Sequence, residues 1–265
     1  AAQALSVFGS ARSALGACLR QLRLNRSDEV CINTTSNGPY ISSCVTSTIE
    51  SVCGWSRRIS SNTRLVLVIH EFGFPCDEHR MRTLRGLGIP LLEDCAYAVG
   101  SRLAGAPVGR HGDFAIYSLP KYFPVPCGGL LASARAGDGN DAFERASGLQ
   151  LSAAESERML AAIACEPAVM RDWNRMRRDN WRRIAQRLAG LGVLPYFELA
   201  DAVVPGAFVC TLPRTLDGGR LKKTFVDAGI EATEYYGHGG FYFPVHQFLR
   251  DEQIDLMVGF FGDRQ

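Results

Sequence analysis

Three short apolar runs, each closed by polar residues, constrain this chain more than any other feature. LVLVIH spans Leu65 to His70, IPLLED spans Ile89 to Asp94, and DFAIYS spans Asp113 to Ser118. Runs this short, rich in valine, isoleucine and leucine, read as strands buried on both faces, as in a parallel sheet. Parallel neighbours need crossover connections, and FGFPCDEHRMRTLRGLG supplies a helical one between the first two runs. In open α/β sheets ligands collect beyond the carboxyl ends of the strands. His70, Asp94 and Ser118 are therefore delivered toward one crevice, with Lys121 just past the last strand.

Lys121 is one of three lysines in the chain. The other two, Lys222 and Lys223, lie in GRLKKTFVDAGI, which has the pattern of a surface helix. A lysine amine can hold an aldehyde cofactor as a Schiff base, and a carboxylate facing the pyridine nitrogen of pyridoxal phosphate (PLP) keeps that nitrogen protonated. Ser118 offers a hydroxyl to the cofactor phosphate. The Ser118-x-x-Lys121 spacing also fits an acylating hydrolase with Ser118 as nucleophile. The companion S-D-N and K-T-G pieces of that class are missing, since Lys223-Thr224 is followed by Phe225. Near the N-terminus, FGSARSALGACLRQLRL reads as a Gly-Ser turn opening a helix, with Ala14, Leu15, Cys18, Leu19 and Leu22 on its buried face. Ser10 there can cap the helix, and the backbone N–H groups of the first turn suit a phosphate.

HEFGFP (His70 to Pro75), LLEDCAYAVG (Leu91 to Gly100), VGRHGDFAIYS (Val108 to Ser118) and Lys121-x6-Gly-Gly occur in this order. Together they resemble the DegT-type aminotransferases, fold-type I PLP enzymes that mostly act on nucleotide-linked sugars. The resemblance covers roughly residues 5–135 well and the C-terminal hundred loosely. It implies Lys121 as the Schiff-base lysine, Asp94 as the pyridine-nitrogen partner, and Ser118, Gly9, Ser10 and Ala11 around the phosphate. It also implies an aromatic stacked on the cofactor ring, for which Tyr40 is the candidate. The family's Gln or His three residues after the aspartate is Tyr97 here, whose phenol can donate the same hydrogen bond. The Ser118–Lys121 interval is two residues shorter than in many relatives, and CVTSTIESVCGWSRRISSNTR reads as a place where a family strand and loop are trimmed. Relatives carry a segment ahead of the phosphate turn that helps close the pocket; this chain begins almost at that turn. An Asn-aromatic-Arg turn that reaches the neighbouring subunit's phosphate has only a superficial counterpart in WNRM, which lies inside a helix pattern.

The length of 265 residues suits one large domain or a large and a small one. A net charge of +2 gives no whole-molecule attraction for nucleic acid or anionic membrane. Nine scattered cysteines without a Cys-x-x-Cys pair read as reduced, mostly buried thiols of a cytosolic protein. No apolar run reaches the length of a membrane helix, and Arg12 and Ser13 interrupt what would otherwise faintly suggest a lipoprotein signal. No histidine, aspartate and glutamate cluster stands at metal-ligand spacing. His70 can line the site or simply be hydrogen-bonded at its strand end, and His246 reads as structural.

DEVCINTT is a further strand, and LLAS after Gly129 another. ARAGDGND reads as a turn and ERASGLQLSAAESERMLAAIACEP as a helix ending before Pro167. The long pattern that follows buries Met170, Trp173, Trp181, Ile184 and Leu188. Its arginines, Arg171, Arg175, Arg177, Arg178, Arg182, Arg183 and Arg187, read as a solvated face rather than a nucleic-acid surface. The end of the chain reads as strand-helix-strand-helix. The expected fold is thus an α/β fold-type I PLP-dependent transferase, a mostly parallel sheet flanked by helices with a small C-terminal α/β domain. Residues 1–150 form the cofactor-binding domain, shortened at its N-terminus, and 151–265 a helical linker and the small domain. The expected function is a cytoplasmic, homodimeric PLP-dependent aminotransferase that takes a small-molecule amino donor and a sugar or other small carbonyl acceptor. The alternative is a catalytically inactive PLP-fold scaffold of a biosynthetic cluster.

Overall fold

In the computed structural model, which describes residues 3–134 and 151–262, the apolar runs pair edge to edge. The strands are β1 (Ala4–Phe8), β2 (Glu29–Thr34), β3 (Gly54–Ser56), β4 (Thr63–Ile69), β5 (Leu91–Asp94), the two-residue β6 (Arg102–Leu103) and β7 (Ala106–Pro107), β8 (Phe114–Ser118) and β9 (Gly129–Ser133). Seven of them form one sheet in the order β1-β9-β8-β5-β4-β2-β3. All neighbours from β8 to β3 run parallel, and β9 alone is antiparallel to both its partners. The registers Ile69↔Asp94 and Asp94↔Ile116 make β4 and β5 stop abreast while β8 runs two residues further to Ser118, so the polar ends of all three gather at one edge of the sheet.

Helices cover both faces of this sheet. On one side α1 (Ala11–Gln21) and α2 (Ser43–Glu50) pack on Leu65, Leu67, Leu92 and Ile116. On the other, α3 (Glu78–Arg85) sets Met81 and Leu84 against Val66, Val68 and Leu91. Alternation along β5 therefore sends Asp94 to the α1 face with Leu92, and Glu93 to the opposite face with Leu91. Two elements escaped the sequence reading. β1 had no assignment, and the edge strand β3 stands where a strand was expected to be trimmed away.

After the segment 135–150, α4 (Ala153–Ile163) starts at a capping box between Ser152 and Glu155, and α5 (Pro167–Ala189) starts with its proline at the first helical position. The expected ARAGDGND turn and the first part of the helix from Glu144 lie outside the described residues. The remaining elements are β10 (Leu194–Pro195), β11 (Ala207–Thr211), α6 (Gly218–Asp227), β12 (Thr233–Tyr235), β13 (Gly240–Pro244) and α7 (Asp251–Gly262). They build a second, four-stranded sheet in the order β10-β11-β13-β12, antiparallel throughout. The expected strand-helix-strand-helix pattern is completed by a hairpin, because the glycines of Tyr236-Gly-His-Gly-Gly turn β12 back into β13; Gly237 and Gly239 both take positive φ. The core of this unit, built on Phe208, Phe225, Phe243 and Phe261, also takes in Phe72 and Phe74 from the loop after β4. No described helix is long and apolar enough to cross a membrane, and all nine cysteines are free.

Candidate active site

The site begins with the helix start that the Gly-Ser turn encodes. Ser10 has extended backbone angles and its hydroxyl accepts the Ser13 N–H at 3.1 Å, so the capping role is realised. The Ser10 carbonyl receives Ala14 N–H, the first intrahelical bond, and the N–H groups of Ala11 and Arg12 precede it, pointing out of the helix end. This helix start and the loop after β8 are tied together. Gly128 N–H donates to the Gly9 carbonyl at 3.0 Å, and Leu119 N–H donates to the Gly128 carbonyl at 3.0 Å. A Cβ on Gly129 would stand 2.3 Å from the Ser10 carbonyl carbon, so only glycine lets β9 pass the helix start this closely.

Ser10, Ala11, Tyr40, Asp94, Tyr97, Ser118 and Lys121 all line one cavity of about 360 Å³ on the α1 face of the sheet. Gly9 is not among its lining residues, but its Cα faces open space and its carbonyl fixes the loop. Lys121 closes a single 3-10 turn, Leu119–Lys121, with Pro120 stiffening its start. Its Nζ lies 3.5 Å from the centroid of the Tyr97 ring. The residue is exposed by area because the cavity is open at its mouth. Its amine is nevertheless crowded by protein, and this desolvation lowers its pKa from the ordinary lysine value against the pull of Asp94 and Glu231.

Asp94 is buried, 7% exposed, and among the described residues the one hydrogen bond to its carboxylate is from Ala96 N–H to Oδ1, at 2.9 Å. Burial raises its pKa; the Ala96 N–H, Lys121 and His70 work in the other direction without overcoming it. The pocket thus holds a carboxyl short of partners and an amine short of solvent. Burial also pushes the Tyr97 phenol up, which leaves it a neutral donor. Ser118 ends β8 facing the cavity, and its hydroxyl makes no hydrogen bond to the described residues. The Tyr40 ring packs near Phe72, Tyr235 and Tyr242, and its hydroxyl meets that of Tyr242 at 3.0 Å.

His70 has another occupation. Its Nδ1 accepts the Cys76 N–H at 3.0 Å, so Nε2 carries the proton and donates it to Glu93 Oε2, also at 3.0 Å. Both ring nitrogens are engaged, and the strand-end structural reading describes this side chain. Glu93 is fully buried and accepts three more bonds, from the N–H groups of Gly109, His111 and Gly112. Burial alone would raise its pKa; the His70 bond and the backbone N–H groups outweigh it and the net shift is downward. His70, Glu93 and Cys95 do bring possible ligand atoms within 4.8 Å of one another, a cluster invisible in the spacing. The histidine and carboxylate atoms in it are already committed to these bonds.

Several residues at the site had no sequence assignment. Glu231 and Tyr242 reach the cavity from the second sheet's unit, and Arg12 from the first turn of α1. Glu71 lies in the turn after β4, where Phe72 holds the uncommon φ of 55° and Gly73 a φ of 99°. Its carboxylate accepts from Ser36 N–H at 2.6 Å and from the Tyr235 hydroxyl at 2.8 Å, which fastens the two sheets across the pocket. Arg177 corrects the sequence reading. It is 2% exposed, not part of a solvated face, and Nη2 donates to the Lys121 carbonyl oxygen at 2.8 Å. Gln247 accepts from Arg177 Nε and donates to the Tyr122 carbonyl, so α5 and the C-terminal segment together grip the Lys121 loop. Asn174 of WNRM is spent inside the subunit, accepting from the Tyr122 hydroxyl at 2.6 Å.

Residues 48–129 match the model of the DegT/DnrJ/EryC1/StrS aminotransferase family. The chain is 35% identical over 71 residues to the L-glutamine:scyllo-inosose aminotransferase of Streptomyces griseus, a match covering 26% of this chain and 17% of that one. It is 33% identical over 70 residues to the GDP-perosamine synthase of Escherichia coli O157:H7, covering 26% and 19%. The matched part is therefore under a fifth of the length of these curated relatives. A Streptococcus pneumoniae protein in its PLP form superposes with a TM-score of 0.74 at 17% identity, over 97% of this chain and 86% of that one. At that identity the likeness is one of fold.

Proposed function

We propose that this chain, whose residues 48–129 carry DegT/DnrJ/EryC1/StrS aminotransferase sequence and whose fold is that of the PLP-dependent aminotransferases, is itself a PLP-dependent aminotransferase acting on a sugar or similar small carbonyl compound. One observation carries the reading. Lys121 and Asp94, an amine and a carboxyl each held away from its ordinary ionisation, line the same cavity as a helix start with open N–H groups.

The residues present fit PLP. Its phosphate would lie at Ala11 and Arg12 N–H with Ser118 beside them, its ring nitrogen at Asp94, and its ring between the aromatic walls near Tyr40 and Tyr97. When bound, PLP supplies an electron sink that lets an amino group leave one carbon and join another. The protein supplies the rest. Lys121, partly desolvated, is a free amine at a larger fraction of neutral-pH time than a surface lysine, and can hold the cofactor and then move a proton at the substrate carbon. Asp94, buried and short of partners, gains one in a cationic ring nitrogen. The phenol of Tyr97 stays protonated and can donate to a ring oxygen. Phe72, Tyr242 and Tyr40 keep water from one side of the pocket.

The amino donor is a small amine such as an amino acid, and the acceptor a sugar, as in the names of the relatives. A homodimer, a cytoplasmic location, and the division into residues 1–150 and 151–265 belong to the same reading. Purified protein incubated with PLP, reduced with borohydride and peptide-mapped should carry the label at Lys121. A panel of L-glutamine and L-glutamate against keto-sugars should then give turnover. Labelling only at Lys222 or Lys223 would remove the basis of the proposal; labelling at Lys121 with no turnover on any pair would favour an inactive scaffold.

A further inference from the structure

Lys121 stands in the wall between two cavities. The second, of about 460 Å³, shares Tyr97, Ser118, Lys121, Glu231 and Tyr242 with the first and extends away from α1 toward the C-terminal segment. Its walls are mostly apolar, formed by Tyr122, Phe123, Pro124, Pro244, Val245 and Phe248. This size suits a small organic molecule.

Arg177 lines this cavity and has no acidic partner among the described residues. Among the described residues it forms no ion pair, and of its five N–H donors one goes to Gln247 Oε1 and one to the Lys121 carbonyl. Its guanidinium carbon lies 4.7 Å from the centroid of the Tyr122 ring. A cation buried to 2% exposure without a counter-charge is costly, and an anion entering the cavity would supply the missing charge. His246 stands in the same lining. The other charged side chains there are Lys121 and the exposed Glu231, and the tyrosines are 97, 122 and 242.

We propose that this second cavity is the substrate subsite, that it takes a ring or short-chain compound bearing one carboxylate, and that Arg177 binds that carboxylate. The compound's reactive carbon would then lie toward Lys121, which divides the two cavities. One guanidinium with two donors already used matches a monoanion better than a phosphate, which needs more donors. The apolar walls match the body of the molecule. The proposal rests on the aminotransferase reading only in taking Lys121 as the reacting amine.

Isothermal titration calorimetry of this chain, with and without PLP, tests it, with benzoate as probe, benzamide as its neutral counterpart and inorganic phosphate as the competing anion. Benzoate should bind and benzamide should not. Arg177→Gln should weaken benzoate roughly 10- to 100-fold, the range of a hydrogen bond to a charged group. In the wild type, burial first and Arg177 second depress the His246 pKa. Saturating benzoate should therefore raise the His246 titration midpoint, read by NMR of labelled histidine. Equal binding of benzoate and benzamide, an unchanged affinity in Arg177→Gln, or tighter binding of phosphate would overturn the proposal. Should Arg177→Gln fail to fold, a His246 midpoint indifferent to benzoate in the wild type overturns it alone. The PLP reading is scored separately by borohydride labelling of Lys121, so either can fail without the other.

Discussion

The ammonium of Lys121 stands over the face of Tyr97, 3.5 Å from its centroid. A ring face attracts a cation, and that attraction holds the side chain at the junction of the two cavities rather than in solvent. Replacing Lys121 by alanine should leave PLP only reversibly bound and cut transamination by ~10²–10⁴-fold, the weight of a positioned proton-transfer group. Absorbance before and after borohydride, together with steady-state rates, measures both effects.

Asp94 should behave differently with and without cofactor. Its pKa is raised in the folded protein, so the unfolded chain gives up this proton at lower pH than the folded one does. Stability therefore falls as pH rises from the unfolded value through the folded one, and the ionised carboxylate carries a cost at neutral pH. Asp94→Asn without cofactor should melt no lower than wild type at pH 7. With PLP it should lose about 1.5–3 kcal/mol of cofactor binding, as for a charged hydrogen bond. Thermal melts between pH 4 and pH 7 and a PLP titration separate the two.

Glu93 has the opposite sign. Its folded pKa is lowered, so its contribution is present above the unfolded carboxylate value and is lost as pH falls through the folded one. Glu93→Ala strips His70 and three backbone N–H groups of their acceptor. The cost should be roughly 3–5 kcal/mol, as for one half of a buried charged pair. Urea unfolding at pH 7 reads it.

Gly129→Ala tests the close passage of β9 by the helix start. The new methyl would overlap the Ser10 carbonyl carbon, and overpacking of this kind costs ~1–3 kcal/mol. Because the helix start must shift, PLP affinity should fall along with the melting temperature, while the fluorescence of the buried Trp181 in the second unit stays unchanged.

The three strand ends were legible because buried parallel strands leave continuous apolar runs, and the register that gathers them at one edge of the sheet follows from their pairing. Lys121, Asp94, Ser118, Ser10 and Tyr40 share a cavity for that reason. The strand β3 was missed because three residues carry too little pattern, and β1 because AAQALSVF lacks alternation. Arg177 was misread among seven arginines of one helix, yet its position held the signal. It falls four residues after Trp173 and four before Trp181, on the apolar stripe rather than opposite it. Glu231 gave no signal, since only the packing of the second unit against the first brings it to the pocket, whereas Glu71 arrives beside the strand end at His70.

The pairing of β1 with β9 has a consequence for how the chain assembles. Ala4 is opposite Ser133 and Phe8 opposite Gly129, so among the described residues the ladder partner of β1 is the last strand of its sheet. Joining segments that far apart closes a long loop late and slowly. During synthesis the parallel strands β2, β4, β5 and β8 are complete while the helix start at Ser10 is still unmoored. The order of events is thus written into the topology: the scaffold forms first, and the arrival of Gly128 and Gly129 is the step that seats both the helix start and the Lys121 loop.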